Sequence, residues 1–141
     1  MQPIPYIFFK SGAREAFETY GRIFGNPPEI MSFSDMPVDD QGGEEGMGSV
    51  PPDTVMHAAV KVGDGWIYGS DDAFGTGDAM AGCNIHVEFP TEAETRRVWD
   101  ALADGGAVRM QLEPTFWAPL FGTLSDRFGI RWMIGQAPKS A

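Results

Sequence analysis

The feature that most constrains the fold is a repeated order of predicted elements. A buried strand at residues 4–9, rich in β-branched and aromatic side chains, leads into a helix that Ser11 can cap. A second strand at residues 84–89 leads into a second helix, which Thr91 can cap with a capping box. Three predicted strands follow each helix. An internal duplication of a β-α-β-β-β unit is the economical explanation.

Apolar spacing and turn residues set the bounds of these units. The first helix carries one apolar stripe and ends at Gly25, and the second ends at Gly105. The strands expected after the helices are 29–33, 55–62 and 66–70, then 107–112, 117–124 and 130–134. We therefore expect module one at about residues 1–72 and module two at about 80–136, within a single domain of 1–141.

The charge distribution limits the partners of the chain. The formal net charge is −10, and no Lys or Arg lies between Arg22 and Lys61. A surface that neutralises phosphates needs clustered Lys and Arg, so we expect no nucleic acid partner. The acidic, Gly- and Pro-rich stretch at residues 35–53 is expected to be a solvated loop, and docking of a basic protein surface is the alternative.

Hydropathy and cysteine content bear on the compartment. No apolar run approaches about 18 residues, so we expect no membrane span. No basic segment leads into an apolar run at the start, so we expect no secretory signal. Cys83 is the single cysteine and is expected to be a small core residue. A reducing cytoplasm fits these features best.

Five short motifs carry a resemblance to a known family. They are the strand and helix start at 6–17, Met-His-Ala at 56–58, Ser-Asp at 70–71, Phe-Trp-Ala-Pro-Leu-Phe-Gly at 116–122, and the closing segment at 126–134. Together they run from the first strand to the last. The chain resembles the PhnB-like branch of the vicinal-oxygen-chelate (VOC) superfamily, which includes glyoxalases, bleomycin-resistance proteins and dioxygenases.

The resemblance implies an α+β fold of two βαβββ modules. Their eight strands would form a curved mixed sheet around a pocket, with the helices outside. It also implies a homodimer that binds a small-molecule ligand. Fold alone does not fix the chemistry. The sequence shows no Gly-rich strand-to-helix loop of the kind that cradles a nucleotide-like methyl donor.

The resemblance also implies where a metal would bind. Metal-dependent relatives place a His on the first strand of each module and a Glu on the last, around one divalent ion. The matching positions of this chain hold Ile4 or Pro5, Gly69 or Ser70, Asn84, and Met133. We therefore expect neither the usual metal site nor a cofactor. The alternative is a displaced divalent-metal site built from His57, His86 and Asp71.

A polar row follows one face of the fifth predicted strand. Asn84, His86 and Glu88 alternate with Ile85 and Val87. Because the apolar face of this strand should pack against the helix, its polar face should line the pocket. His86 is the best candidate for a catalytic residue, as a general base near neutral pH.

Aromatic side chains complete the expected site. Trp117 is expected in the pocket wall, with Tyr6 and Phe8 facing it across the sheet. The expected ligand-binding residues are Tyr6, Phe8, His57, Ser70, Asn84, His86 and Trp117.

These features favour a small-molecule-binding protein that lacks the usual metal site. The alternative is a glyoxalase-like metal-dependent enzyme of the lyase or dioxygenase class, with the displaced site. A second alternative is a protein-interaction module that uses the acidic residues 35–53.

Overall fold

A computed structural model describes residues 1–35, 50–75 and 77–138. Most of the predicted acidic loop, residues 36–49, lies outside this part of the chain. The chain divides into two compact units, Met1–Asp78 and Ala79–Ala141. Within the described residues, no helix has the length and apolar character needed to cross a bilayer.

Unit one contains one helix and a four-stranded mixed sheet. The sheet has the order β1-β4-β3-β2, with β1 parallel to β4 and the other neighbours antiparallel. A short 3-10 turn, Phe33–Asp35, follows β2. The elements are β1 Tyr6–Phe9, α1 Ala13–Phe24, β2 Glu29–Ser32, β3 Val55–Val62 and β4 Gly65–Asp71.

Unit two repeats this topology. Its sheet has the order β5-β8-β7-β6, and β5 is parallel to β8 as β1 is to β4. The elements are β5 Ile85–Phe89, α2 Glu92–Ala103, β6 Ala107–Glu113, β7 Leu120–Ser125 and β8 Arg131–Gln136. The predicted pair of β-α-β-β-β modules is confirmed, and the eight strands lie in two four-stranded sheets.

The core of unit one lies between α1 and one face of its sheet. Phe17 and Tyr20 of α1 are fully buried, and the Phe17 ring meets those of Phe9 and Tyr20 edge-on, with 6.0 Å between centroids in each pair. A Cβ placed on Gly69 would lie 2.7 Å from the Ile7 carbonyl oxygen and 2.8 Å from Phe17 Cε2. Glycine on β4 therefore lets β1 and α1 approach closely.

The core of unit two is built in the same way. Trp99 of α2 and Trp132 of β8 are both buried. A Cβ on Gly122 would lie 2.7 Å from Trp99 Cη2, so the large indole fits because β7 has no side chain there. Asp126 is 6% exposed and accepts hydrogen bonds from the Ile130 N–H (3.0 Å) and Trp132 Nε1 (2.9 Å). Its carboxylate thereby joins the β7–β8 turn to the core.

The two helices begin differently. The Thr91 hydroxyl accepts from the Glu94 N–H at 3.2 Å, as predicted. The predicted Ser11 cap is wrong, because the residue before α1 is Gly12, at φ 85°, with no side-chain cap. The Ala13 N–H instead donates to Asp71 Oδ1 at 3.0 Å. A carboxylate from the end of β4 thus replaces the local cap.

Two further expectations need correction. Cys83 is exposed rather than part of the core, because it precedes β5 in a run of exposed residues. The strand predicted at 117–124 begins only at Leu120. A turn precedes it, in which the Ala118 N–H donates to Thr115 Oγ1 at 3.1 Å and the Thr115 N–H donates to the Ala118 carbonyl at 3.0 Å. Trp117 therefore lies in a turn and not on a strand.

Candidate functional site

Each sheet has one face against its helix and one opposite to it, which we call the distal face. On β1, Ile7 and Phe9 are buried on the helix side, whereas Tyr6 and Phe8 are exposed on the distal face. The parallel register sets Tyr6 beside Tyr68 of β4. Strand alternation thus collects aromatic side chains on the distal face of unit one.

Five rings form a connected group there, which we call the aromatic cluster: Tyr6, Phe8, His57, Trp66 and Tyr68. The Tyr6 centroid lies 5.5 Å from that of Phe8, 5.7 Å from that of His57 and 6.5 Å from that of Tyr68. The Tyr68 ring meets His57 edge-on at 5.1 Å and lies 6.4 Å from Trp66. Such tilted and edge-on arrangements are the ones that aromatic pairs prefer.

The aromatic cluster is open to solvent and carries a polar contact. Tyr6 is 44% exposed and Phe8 is 52% exposed. The Tyr6 hydroxyl and His57 Nδ1 are 3.2 Å apart and share a hydrogen bond. Exposed apolar side chains that adjoin placed polar groups are typical of a binding surface.

The structure brings together three of the predicted ligand-binding residues in this cluster, namely Tyr6, Phe8 and His57. Ser70, also predicted, pairs with Phe8 across the ladder and is 5% exposed. Trp66 and Tyr68 were missed. Their alternation with the buried Ile67 was the signal that could have found them, because it places both on the face that Ser70 shares.

His86 occupies the distal face of unit two. It pairs with Met133 of β8, and its ring meets that of Phe121 at a centroid distance of 6.1 Å. His86 Nε2 lies 3.7 Å from Glu88 Oε1, and both side chains are nearly half exposed. A pair so exposed contributes little to stability, but it sets an acidic group beside the imidazole.

Trp117 approaches the same face from the turn before β7. Its ring contacts Phe116 at 4.8 Å and Phe121 at 5.3 Å between centroids. Phe121, which is 7% exposed, therefore contacts both Trp117 and His86. A concavity of about 450 Å³ adjoins the turn, lined by Pro114, Thr115, Phe116, Trp117, Ala118, Pro119, Gln136 and Pro138.

Asn84, the third member of the predicted polar row, has a different partner. Its Oδ1 accepts a hydrogen bond of 2.7 Å from Arg109 Nη2. Arg109 lies on β6 and was not among the predicted residues. No local pattern could have found it, since the two residues are 25 positions apart and on opposite edges of the sheet.

Two of the positions that the resemblance gave for metal ligands hold poor ligands for a divalent ion. Met133 offers only a thioether, and the amide oxygen of Asn84 is held by Arg109. Asp71, which the displaced site needs, accepts from the Ala13 and Val55 N–H groups at 3.0 and 2.9 Å. Within the described residues, no group of three or more His, Cys, Asp or Glu side chains could hold a metal ion. No chemical step through a metal follows from these residues.

A family model matches almost the whole chain. The model described as 3-demethylubiquinone-9 3-methyltransferase matches residues 2–135. Protein YjdN of Escherichia coli (strain K12) is 34% identical over 137 residues, which are 92% of this chain and 91% of that protein.

Solved structures agree with this assignment. A PhnB protein from Bacillus cereus, also described as a 3-demethylubiquinone-9 3-methyltransferase, has a TM-score of 0.76 at 25% identity, covering 97% of this chain and 100% of its own. A glyoxalase/bleomycin resistance protein/dioxygenase family enzyme from Burkholderia phytofirmans PsJN shares the fold, with a TM-score of 0.60 at 12% identity over 94% of this chain and 95% of its own. The chain therefore belongs to the PhnB-like family described as 3-demethylubiquinone-9 3-methyltransferase, and it has the glyoxalase/bleomycin-resistance fold.

Proposed function

We propose that this protein binds a small organic molecule with a planar aromatic part, on the distal face of unit one. The observation that carries the proposal is the aromatic cluster, in which each of the five rings pairs with at least one other while Tyr6 and Phe8 stay about half exposed. Contiguous aromatic surface of this kind is costly to leave in water. A ligand that covers it removes that cost.

The aromatic cluster can supply useful affinity. Burying the exposed half of one large aromatic ring contributes about 2 kcal/mol from the apolar area removed from water. Stacking against a planar ligand adds to this, and the entropic cost of binding subtracts from it. The cluster thus supports moderate affinity for a flat, mostly apolar ligand.

The hydrogen bond between Tyr6 and His57 supports selectivity for a ligand with a polar edge. The hydroxyl and the imidazole can each donate or accept, depending on the proton positions. A ligand hydroxyl or carbonyl beside them would find a partner that a purely apolar surface lacks. We therefore expect an aromatic ligand with at least one polar substituent.

Binding is favoured over methyl transfer, although the family model carries a methyltransferase description. The strand-to-helix connections at residues 10–12 and 90–91 are short, and Gly12 is the single glycine in them. A loop that cradles a nucleotide-like donor needs several backbone N–H groups exposed by glycines. These connections do not provide such a loop.

The binding proposal can be tested by calorimetric titration with 2-naphthol. Decahydro-2-naphthol, which keeps the two-ring skeleton without π-faces, serves as the comparison ligand. We expect saturable binding of 2-naphthol and weaker binding of the saturated analogue. Tyr6→Ala should weaken 2-naphthol binding on the order of tenfold, and Tyr6→Phe should isolate the contribution of the hydroxyl.

The matched control is Phe74→Ala. Phe74 is 61% exposed in the same unit but is not part of the aromatic cluster. This variant should bind 2-naphthol as the wild type does. Equal losses in Tyr6→Ala and Phe74→Ala, or equal binding of the two ligands, would contradict the proposal.

We further propose that the chain holds no stoichiometric transition metal. The support is the donor set: a thioether at Met133 and an amide at Asn84 replace the carboxylate and imidazole of metal-dependent relatives. Elemental analysis of protein purified without chelators tests this. About one tightly held metal per chain would refute it and direct attention to His57 and His86.

A further inference from the structure

Two arginines on the distal face of unit two, Arg109 and Arg131, have no acidic partner within the described residues. The ion pairs in this part of the chain include His86–Glu88, Arg96–Glu92 and Arg97–Glu94, and neither Arg109 nor Arg131 takes part in one. This arrangement stands out in a chain with 20 acidic and 10 basic residues.

Arg109 reaches across the sheet. It lies on the edge strand β6, yet its Nη2 donates a hydrogen bond of 2.7 Å to Asn84 Oδ1. Asn84 directly precedes β5, the strand at the opposite edge of the sheet. The same nitrogen donates to the Leu124 carbonyl at 3.1 Å. These two hydrogen bonds fix the guanidinium above the strands that lie between the two edges.

Arg131 lies on one of these intervening strands. On β8 it pairs with Ser125 of β7, and β8 is the neighbour of β5. Its Nε is buried and has no hydrogen-bond partner within the described residues. A buried donor without a partner is uncommon in native structures and often marks a bound water or ion.

The positive charge of Arg131 acts on the guanidinium of Arg109. Burial first, and the positive charge of Arg131 second, lower the pKa of Arg109 below its ordinary value. Neighbouring like charges repel each other, and an anion placed between them relieves that repulsion.

We propose that Arg109, Arg131 and Asn84 form a binding site for a small oxyanion, the carboxylate or phosphate group of a ligand. Guanidinium groups present several N–H donors in a planar fork that matches either oxyanion. Because Asn84 Oδ1 is held by Arg109, its amide NH₂ remains to donate as well. The proposal concerns unit two alone and goes beyond the aromatic site of unit one.

Titration with inorganic phosphate and, separately, with acetate tests the oxyanion site at constant ionic strength, with chloride as the balancing anion. The readout is the NMR signal of the Arg side-chain Nε–H groups. We expect saturable shifts of the Arg109 and Arg131 signals with one or both oxyanions. The stronger of the two arms identifies the group that the site prefers.

Substitutions make the test specific. Arg109→Gln and Arg131→Gln should each weaken oxyanion binding on the order of tenfold, the usual effect of losing a charged hydrogen-bond donor. Arg131→Lys, which keeps the charge but loses the fork, should weaken binding less. The control is Arg96→Gln, which removes the same charge from an exposed position on α2.

The outcomes separate clearly. Retained binding in Arg96→Gln, with loss in Arg109→Gln, supports the site, and Arg109 is exposed enough for its variant to keep the fold. Absence of saturation with both oxyanions, or equal losses in Arg96→Gln and Arg109→Gln, would overturn the proposal. Neither result depends on 2-naphthol binding to unit one, so failure of one proposal is distinguishable from failure of the other.

Discussion

Gly69 shows how a single residue holds the aromatic surface in place. Its neighbours Tyr68 and Ser70 point to the distal face, while its own missing side chain leaves room for the Ile7 carbonyl and the Phe17 ring on the other side. Glycine normally weakens a strand, because it costs conformational entropy and packs nothing. The close approach of β1, β4 and α1 explains its presence here.

Gly69→Ala should therefore destabilise the protein. The added Cβ would collide with a backbone oxygen 2.7 Å away, which cannot rotate aside as a flexible side chain can. We expect a loss of about 1–3 kcal/mol in the free energy of unfolding, measured by urea denaturation. The control is Gly65→Ala at the start of the same strand, where a Cβ meets only the Val62 carbonyl at 3.8 Å. Equal stability of the two variants would contradict the close-packing argument.

At the scale of elements, one carboxylate links a helix to two strands. Asp71, the last residue of β4, accepts from the first N–H of α1 and from the first N–H of β3. An acceptor side chain at a helix start bonds a backbone N–H that has no acceptor within the helix. A negative charge there also interacts favourably with the positive end of the helix dipole. The two bonds hold α1 against the sheet that carries Tyr6 and His57.

Asp71→Asn should weaken both contacts, since an amide has one acceptor oxygen and would set an NH₂ group against one of the two donors. We expect a loss of about 1–3 kcal/mol in the free energy of unfolding, measured by urea denaturation. Asp64→Asn, at the exposed turn between β3 and β4, is the matched control and should have little effect. A wild-type midpoint for Asp71→Asn would show that α1 does not depend on this carboxylate.

The start of α1 also shows what sequence patterns could and could not predict. Apolar periodicity and Gly25 predicted the helix within two residues, because both signals are local. The cap was assigned to Ser11, the polar residue at hand. Its true partner, Asp71, lies 58 positions away from Ala13 and arrives there only because β1 pairs in parallel with β4. Thr91, whose partner is three residues away, was predicted correctly.

For the whole molecule, the repeated topology was predictable because the order of elements is visible in the sequence, and each sheet is built from the strands of one unit. The shared face of Tyr6 and Phe8 was predictable because strand alternation applies there. The link between Arg109 and Asn84 needs the packed sheet, since a long side chain spans it from one edge to the other. Residue spacing along the chain does not predict such a contact.

We expect the protein to form a homodimer. The support is the family resemblance, together with apolar side chains left exposed in unit two: Val108, Met110 and Phe116. Light scattering at micromolar concentration should give twice the 15.4 kDa mass of one chain. A mass of 15.4 kDa over that range would show that these side chains have another role.

The place at which a planar ligand binds to this protein can be located directly. Titration of isotope-labelled protein with 2-naphthol, followed by amide NMR shifts, locates the site without any substitution. We expect the largest shifts on β1, β3 and β4, around Tyr6, His57 and Tyr68. Shifts that cluster elsewhere, or that do not saturate, would contradict the binding proposal.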